Sequence, residues 1–246
     1  MSPAVTTILF DLDETLCEYP KSGSERLSEA FQRAGVEPFF SYDEYRREVH
    51  EVGGTESDIR RRETCFKKLA RRNDRPETIG LRVADAYEAL TDYTAMQGVA
   101  GMERVLSELG TRYRLGLVTN GGPDTQSVKI DSLGVRDAFE TIILAGWDTE
   151  PKPNPEPFVR ALEDLDSTRS ESVYVGNSIA SDVLGANRSG LQSVWIPHES
   201  SLDSSPGDTD SAEQPASDLT TPDYRLDSLR GLLDPPWETR EADRRF

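Results

Sequence analysis

The chain is short of the residues that most often carry chemistry. Its 246 positions include two cysteines, Cys17 and Cys65, and two histidines, His50 and His198. Two cysteines so far apart build neither a disulfide framework nor a four-ligand zinc site, and both read as apolar fillers. Histidines this few, with no partner pattern around either, exclude His-rich metal clusters and Ser-His-Asp triads. No apolar run reaches the ~18 residues that a membrane span needs, and the chain enters the β-like stretch Thr6–Phe10 without a basic leader. Neither a membrane partner nor a secretory signal is therefore expected, and a cytoplasmic location is. Positive charge is scarce as well: 28 Lys and Arg stand against 45 Asp and Glu, a formal charge of −17. Such a surface repels phosphate backbones, which argues against nucleic acid as a partner.

The acidity is spread along the chain. The stretch Glu199–Asp223 holds seven acids and no Lys or Arg, among Ser, Thr, Pro and Gly, the composition of a flexible solvated insertion. Removing those seven from −17 still leaves −10 on the rest. A surface this acidic suits concentrated salt, where a Debye length of ~3 Å at ~1 M screens self-repulsion, so a halophilic origin is expected.

Short apolar or β-branched runs recur at Thr6–Phe10, Arg114–Thr119, Thr141–Ala145, Ser172–Val175 and Ser193–Pro197. From Arg114 onward they alternate with helix-period segments, Asp124–Leu133, Pro155–Leu165 and Ile179–Ser189, the last closed by Gly190. That alternation predicts a parallel sheet in a doubly wound, Rossmann-like α/β core. Between the first two strands lie about a hundred residues, far more than the ~10–20 of a simple crossover. Ser22 with Glu25 and Ser41 with Glu44 read there as capping boxes, and Thr55 with Asp58 as a looser one. Four amphipathic helices are expected, marked by Leu27, Ala30, Phe31 and Ala34; Tyr42, Tyr45 and Val49; Ile59, Phe66 and Leu69; and Ile79, Val83, Tyr87 and Leu90. The predicted organisation is a core of residues 1–17 and 96–246, with 199–223 as the acidic insertion, and a helical domain over 18–95. A strand and a short helix are expected in Tyr224–Leu233.

In an open parallel sheet, ligands bind beyond the carboxyl ends of the strands. The first strand ends in Asp11-Leu12-Asp13-Glu14-Thr15, the second in Thr119-Asn120-Gly121; Lys152 follows the third, and Gly176-Asn177-Ser178 with Asp182 the fourth. Asp11 and Asp13, one residue apart, can face one cavity, one as nucleophile or hard-cation ligand and the other as general acid and base. Asp182 lies one helical turn beyond Ser178, which brings it back toward the strand end. An oxygen-rich set of this kind suits Mg²⁺, Thr119 and Asn120 can donate to a phosphoryl group, and Lys152 offsets the gathered negative charge. Arg60, Arg61 and Arg62 read as a solvated helix face.

These ordered motifs resemble the haloacid dehalogenase-like hydrolase superfamily, in the branch with a helical cap inserted after the first strand. The resemblance rests on Asp11-Leu12-Asp13-Glu14-Thr15-Leu16, Thr119-Asn120-Gly121 followed by Gln126 and Lys129, Lys152-Pro153-Asn154-Pro155, and Gly176-Asn177-Ser178 with Asp182. It implies that Asp11 attacks phosphorus, that Asp13 protonates the leaving oxygen and later activates water, and that Thr119, Asn120, Gly121 and Lys152 position the phosphoryl group. It also implies a Mg²⁺ site from Asp11, the Asp13 main-chain carbonyl and Asp182. Asn177 stands where an acidic residue is common, and is expected to add a carbonyl oxygen or to orient Asp182. The expected activity is phosphate-ester hydrolysis on a small phosphorylated metabolite, in a monomer or homodimer. Asp13 opposes the alternative of a 2-haloacid dehalogenase, because an alkoxide leaving group needs a proton and a halide does not. A catalytically weak binding protein is the other alternative, supported by Asn177.

Overall fold

The computed structural model describes residues 4–52, 57–198 and 219–238. The chain divides into two compact units, one of Met1–Glu18, Gln97–Asn120 and Gly134–Phe246, the other of Tyr19–Met96 and Gly121–Leu133. The divisions fall one residue beyond those expected at either end of the insertion. The segment 121–133, expected in the sheet-bearing core, groups instead with the helical residues.

In the first unit the strands are β1 (Thr7–Phe10), β2 (Cys17–Glu18), β3 (Gln97–Gly98), β4 (Arg114–Asn120), β5 (Thr141–Ala145), β6 (Ser172–Gly176), β7 (Gln192–Trp195) and β8 (Tyr224–Arg225). Six of them make one sheet in the order β5-β4-β1-β6-β7-β8, and every pairing in it is parallel. The chain runs outward from β1 through β4 to β5, then returns to the other side of β1 as β6. That reversal beside β1 is the switch point at which doubly wound sheets hold ligands. Register sets the levels: Phe10 pairs with Leu117 on one side and Val175 on the other, so β4 runs three residues further and carries Thr119 and Asn120 to the carboxyl edge. Both faces are apolar because both are covered; Leu9, Val118, Phe158, Leu162, Leu165, Tyr174 and Ala186 share one buried cluster. The terminal strand and short helix appear as expected, at β8 and Leu229–Leu233. Most of the acidic stretch 199–223, through residue 218, lies outside the described residues.

A helix and a strand pair of this unit escaped the sequence reading. Met102–Gly110 is a helix burying Met102, Val105, Leu106 and Leu109. It opens on Gly101 at φ 93 with no side-chain cap, so the usual start signal is missing. Strands β2 and β3 form a two-residue antiparallel ribbon, too short to leave an alternation.

The second unit contains the four expected helices, α1 (Gly23–Ala34), α2 (Tyr42–Glu51), α3 (Asp58–Arg72) and α4 (Glu77–Glu88), with Gln126–Leu133 as a fifth. Ser22 and Ser41 make full capping boxes with Glu25 and Glu44. Helix α3 is capped by Ser57, which accepts from the Arg60 N–H; Thr55 lies outside the described residues. The apolar positions meet in an aromatic core in which Phe40, Tyr45 and Phe66 pack edge to face at 4.9–5.0 Å. Gly80 allows α4 close to α3, since a Cβ there would strike the Phe66 carbonyl. No helix among the described residues is long and apolar enough to cross a membrane.

Candidate active site

Strand β1 delivers the first carboxylate. The Asp11 N–H donates to Val175 O at 2.9 Å, so the sheet continues one residue past β1 before the chain turns. The turn winds on the Leu12 carbonyl, which accepts from the N–H groups of Leu16 at 2.9 Å and Cys17 at 3.1 Å. Glu14 adopts φ 59 within it. This brings Asp13, half-buried, into an isolated bridge with Cys17.

Lys152 is the centre of the site. Its Nζ donates to Asp11 Oδ1 and Asp182 Oδ1, each at 2.8 Å, and to the Tyr174 hydroxyl at 2.6 Å. All three ammonium protons are thereby used. Lys152 is 3% exposed and Asp182 1%, so both charges are held out of water. Asn120 places the lysine backbone: its Nδ2 donates to Lys152 O at 3.1 Å, and Lys152 N donates to its Oδ1 at 2.8 Å. Tyr174 in turn donates to Val118 O at 2.8 Å, tying β6 to β4.

Asp182 is aimed by a wide turn, Ile179–Val183, that opens the helix after β6; such expanded turns gather at functional sites. The Ser178 N–H donates to its Oδ2 at 2.9 Å and Ser181 Oγ to its Oδ1 at 3.3 Å. Gly176 makes room for this carboxylate, since a Cβ there would lie 2.5 Å from the Asp182 carboxyl carbon.

Two buried carboxylates thus share one ammonium, leaving local excess negative charge. Burial pushes the Asp11 carboxyl up to about 7; Lys152 opposes the rise, and Asp182 and Asp13 add to it. Burial works against the Lys152 ammonium, but Asp11 and Asp182 outweigh it and hold the group above the ordinary lysine value. Burial, with the nearby Asp182 and Asp11 charges, keeps Tyr174 a neutral phenol far above its ordinary range.

Of the residues read from the sequence, Asp11, Lys152 and Asp182 are in direct contact, and Asn120 acts on the Lys152 backbone. Thr119 is buried one residue before it. The Asn177 side chain is occupied within the turn that carries Asp13: its Nδ2 donates to Glu14 Oε2 at 2.9 Å and its Oδ1 accepts from Thr15 Oγ1 at 3.4 Å. Gly121, Gln126 and Lys129 belong to the other unit. The sequence reading missed Tyr174. Its only signal was a phenol flanked by valines in a strand, where a buried hydroxyl needs a partner.

The donor set fits a hard divalent cation: the Asp11 and Asp182 carboxylates and the Tyr174 hydroxyl gather oxygens around Lys152, and two carboxylates carry more negative charge than one ammonium neutralises. Lys152 takes only Oδ1 of Asp11, which leaves Oδ2 to ligate or attack. No group of three or more His, Cys, Asp or Glu side chains arranged for a metal occurs among the described residues. A cation there would therefore rest on Asp11 and Asp182, with main-chain carbonyl and water oxygens completing its shell.

Comparison with known proteins gives a consistent result. Residues 8–196 match the model of the haloacid dehalogenase-like hydrolases. A glyceraldehyde 3-phosphate phosphatase of Methanopyrus kandleri is 30% identical over 237 residues, covering 94% of this chain and 96% of the relative. A ribulose-1,5-bisphosphate 5-phosphatase of Halopiger xanaduensis is 30% identical over 242 residues, covering 93% and 98%. Among solved structures, the HAD-hydrolase YfnB of Bacillus subtilis, bound to magnesium, superposes with a TM-score of 0.70 at 19% identity, covering 94% of this chain and 98% of that one.

Proposed function

The chain belongs to the haloacid dehalogenase-like hydrolase family and is a phosphatase within it, and we propose that it hydrolyses a small phosphorylated sugar through an aspartyl-phosphate on Asp11, with Mg²⁺ as cofactor. The observation that carries this reading is the buried contact of Lys152 with Asp11 and Asp182, each at 2.8 Å. Two carboxylates and an ammonium meet at one point of the sheet edge, which supports roles for Asp11 as nucleophile and Lys152 as a cation for phosphoryl oxygens. The substrate class is supported by relatives named for glyceraldehyde 3-phosphate and ribulose-1,5-bisphosphate.

Asp11 Oδ2 attacks phosphorus as the ester P–O bond breaks, and Asp13 gives its proton to the departing oxygen. The ionised Asp13 then takes a proton from water, whose oxygen attacks the aspartyl-phosphate; inorganic phosphate leaves and Asp11 is restored. Lys152 and the Thr119 hydroxyl stabilise the phosphoryl oxygens throughout. Asp11, the Asp13 main-chain carbonyl and Asp182 would hold Mg²⁺, which would supply Lewis-acid neutralisation of the phosphoryl oxygens.

A chromogenic aryl phosphate tests the activity directly. Turnover is expected with Mg²⁺ and is expected to cease in EDTA; no turnover with Mg²⁺, or full turnover in EDTA, removes the reading. Asp13 supplies a sharper check, because a good leaving group needs its proton less. Asp13→Asn is expected to slow alkyl phosphates at least about tenfold more than an activated aryl phosphate. Equal losses on both would deny Asp13 the role of acid.

The Asp11 shift predicts how cation binding depends on pH. With this carboxyl titrating at about 7, binding at pH 6 must expel its proton and binding at pH 8.5 need not. Affinity should fall about tenfold per pH unit below 7. Calorimetry of Mg²⁺ binding in buffers of different ionisation enthalpy is expected to show about one proton released at pH 6 and almost none at pH 8.5. Equal release at both values would place the titrating group elsewhere. The sign for folding is the reverse. The carboxyl is raised from 3.8 in the folded, metal-free chain, so its contribution to stability is complete below about 4 and is lost as pH rises through about 7.

A further inference from the structure

The turn that carries Asp13 is braced by residues that follow β6 and β7. Glu14, next to Asp13, adopts φ 59, a left-handed backbone that costs a glutamate more than a glycine. A residue of this type keeps such a conformation where its surroundings enforce it, and strained residues gather where a site must hold its shape. Part of the enforcement is main-chain, for Glu14 N–H donates to Cys17 O at 2.7 Å. The side chain adds to it. Glu14 Oε2 accepts from Asn177 Nδ2 at 2.9 Å and lies 4.0 Å from His198 Nδ1.

Asn177 grips the turn at two successive residues, because its Oδ1 accepts from Thr15 Oγ1 at 3.4 Å. It is itself fixed: it is 4% exposed, and its main-chain carbonyl accepts from Trp195 Nε1 of β7 at 2.8 Å. His198 spans the turn from outside, with Nδ1 toward Glu14 and Nε2 3.1 Å from Glu18 Oε2. The bond between Glu14 and Asn177 has a chemical condition. An amide at 177 donates to a carboxylate at 14, whereas acids at both positions would set like charges face to face. The two residues are a matched pair.

We propose that Glu14 and Asn177 are positioning residues for Asp13, fixing the turn so that the Asp13 carboxyl meets the leaving oxygen of the ester. The inference rests on the reading of Asp13 as the acid of the phosphatase reaction. Proton transfer requires donor and acceptor within hydrogen-bond reach, and a displacement of ~1 Å caused by a change away from the reacting atoms can cost ~10²-fold. Asp11 precedes the turn and its N–H is bonded to Val175 O. Loosening the turn therefore moves the acid and leaves the nucleophile in place.

Glu14→Gly separates this role from a merely structural one. The substitution relieves the left-handed backbone and deletes the carboxylate, so the melting temperature is expected to hold or rise. In the same variant kcat/KM on an alkyl phosphate is expected to fall at least about fivefold more than on an activated aryl phosphate. Asp13→Asn is measured beside it. If Asp13→Asn shows the leaving-group dependence and Glu14→Gly does not, the positioning role is overturned and the acid stands. If Asp13→Asn loses equally on both esters, Asp13 is not the acid and the inference falls with it. A second test retains a side chain at both positions, using Glu14→Gln, Asn177→Asp and the two combined. Asn177→Asp sets a carboxylate against Glu14 and is expected to show the same selective loss. Adding Glu14→Gln, whose amide donates to the new carboxylate, is expected to recover about fivefold or more of it. Melting of the same variants in EDTA reads this coupling without turnover. Losses that simply add in the double variant overturn the proposal.

Discussion

Asp11→Asn is expected to reduce phosphate-ester hydrolysis by at least about 10³-fold, because the amide removes the attacking oxygen that the rest of the site serves. The same change should make the metal-free protein more stable above pH 7. There the native carboxylate is ionised against its preference, beside Asp182 and Asp13 and away from water. Asn keeps the shape and an acceptor for Lys152 Nζ while removing one of the two carboxylate charges that share it. Steady-state assays and thermal melts in EDTA at pH 8 measure the two effects. Near-native turnover would exclude Asp11 as nucleophile, and a lower melting temperature would exclude the charge argument.

Lys152→Met reverses the stability effect. The substitution retains most of the side-chain volume but leaves Asp11 and Asp182 without the cation that both contact at 2.8 Å, and removes a partner of Tyr174. Breaking a buried ion pair by deleting one member costs about 3–5 kcal/mol. The deficit should be smaller at pH 6 than at pH 8, since protonating Asp11 neutralises one of the stranded carboxylates. Turnover is expected to fall about 10²–10³-fold with the loss of a charge aimed at the phosphoryl oxygens. Urea denaturation at the two pH values checks the first claim. A deficit that does not depend on pH would mean that lost packing, rather than uncompensated charge, sets the cost.

The opposite stability changes expected of these two variants come from one arrangement, and the sequence announced its members without its wiring. Asp11, Lys152 and Asp182 were readable because each follows a strand whose apolar run is itself readable, and parallel sheets bring such positions to one edge. Asn120 was read as a phosphoryl donor, and the fold adds that it clasps the Lys152 backbone. Asn177 was read as a cation ligand or a partner of Asp182, and the fold adds that it bonds Glu14 and Thr15. Neither contact was legible because an amide satisfies the donors and acceptors that the folded chain places nearest, and nothing local in the sequence records those neighbours.

The sequence by itself determined the six strands of the parallel sheet, the four inserted helices with the serine caps of two of them, and the order in which the acidic and basic motifs reach the sheet edge. These follow from periodicity and capping, which act over a few residues. Only the tertiary structure decided that Tyr174 completes the lysine site, that residues 121–133 pack with the helical unit, and that Arg62, read with Arg60 and Arg61 as a solvated face, turns inward to pair with Glu88 and to donate to Tyr45 and Tyr93. Each of those depends on burial beside residues distant in the chain. The free energy of a buried charge is set by what surrounds it in space, and that environment exists only after the chain has folded.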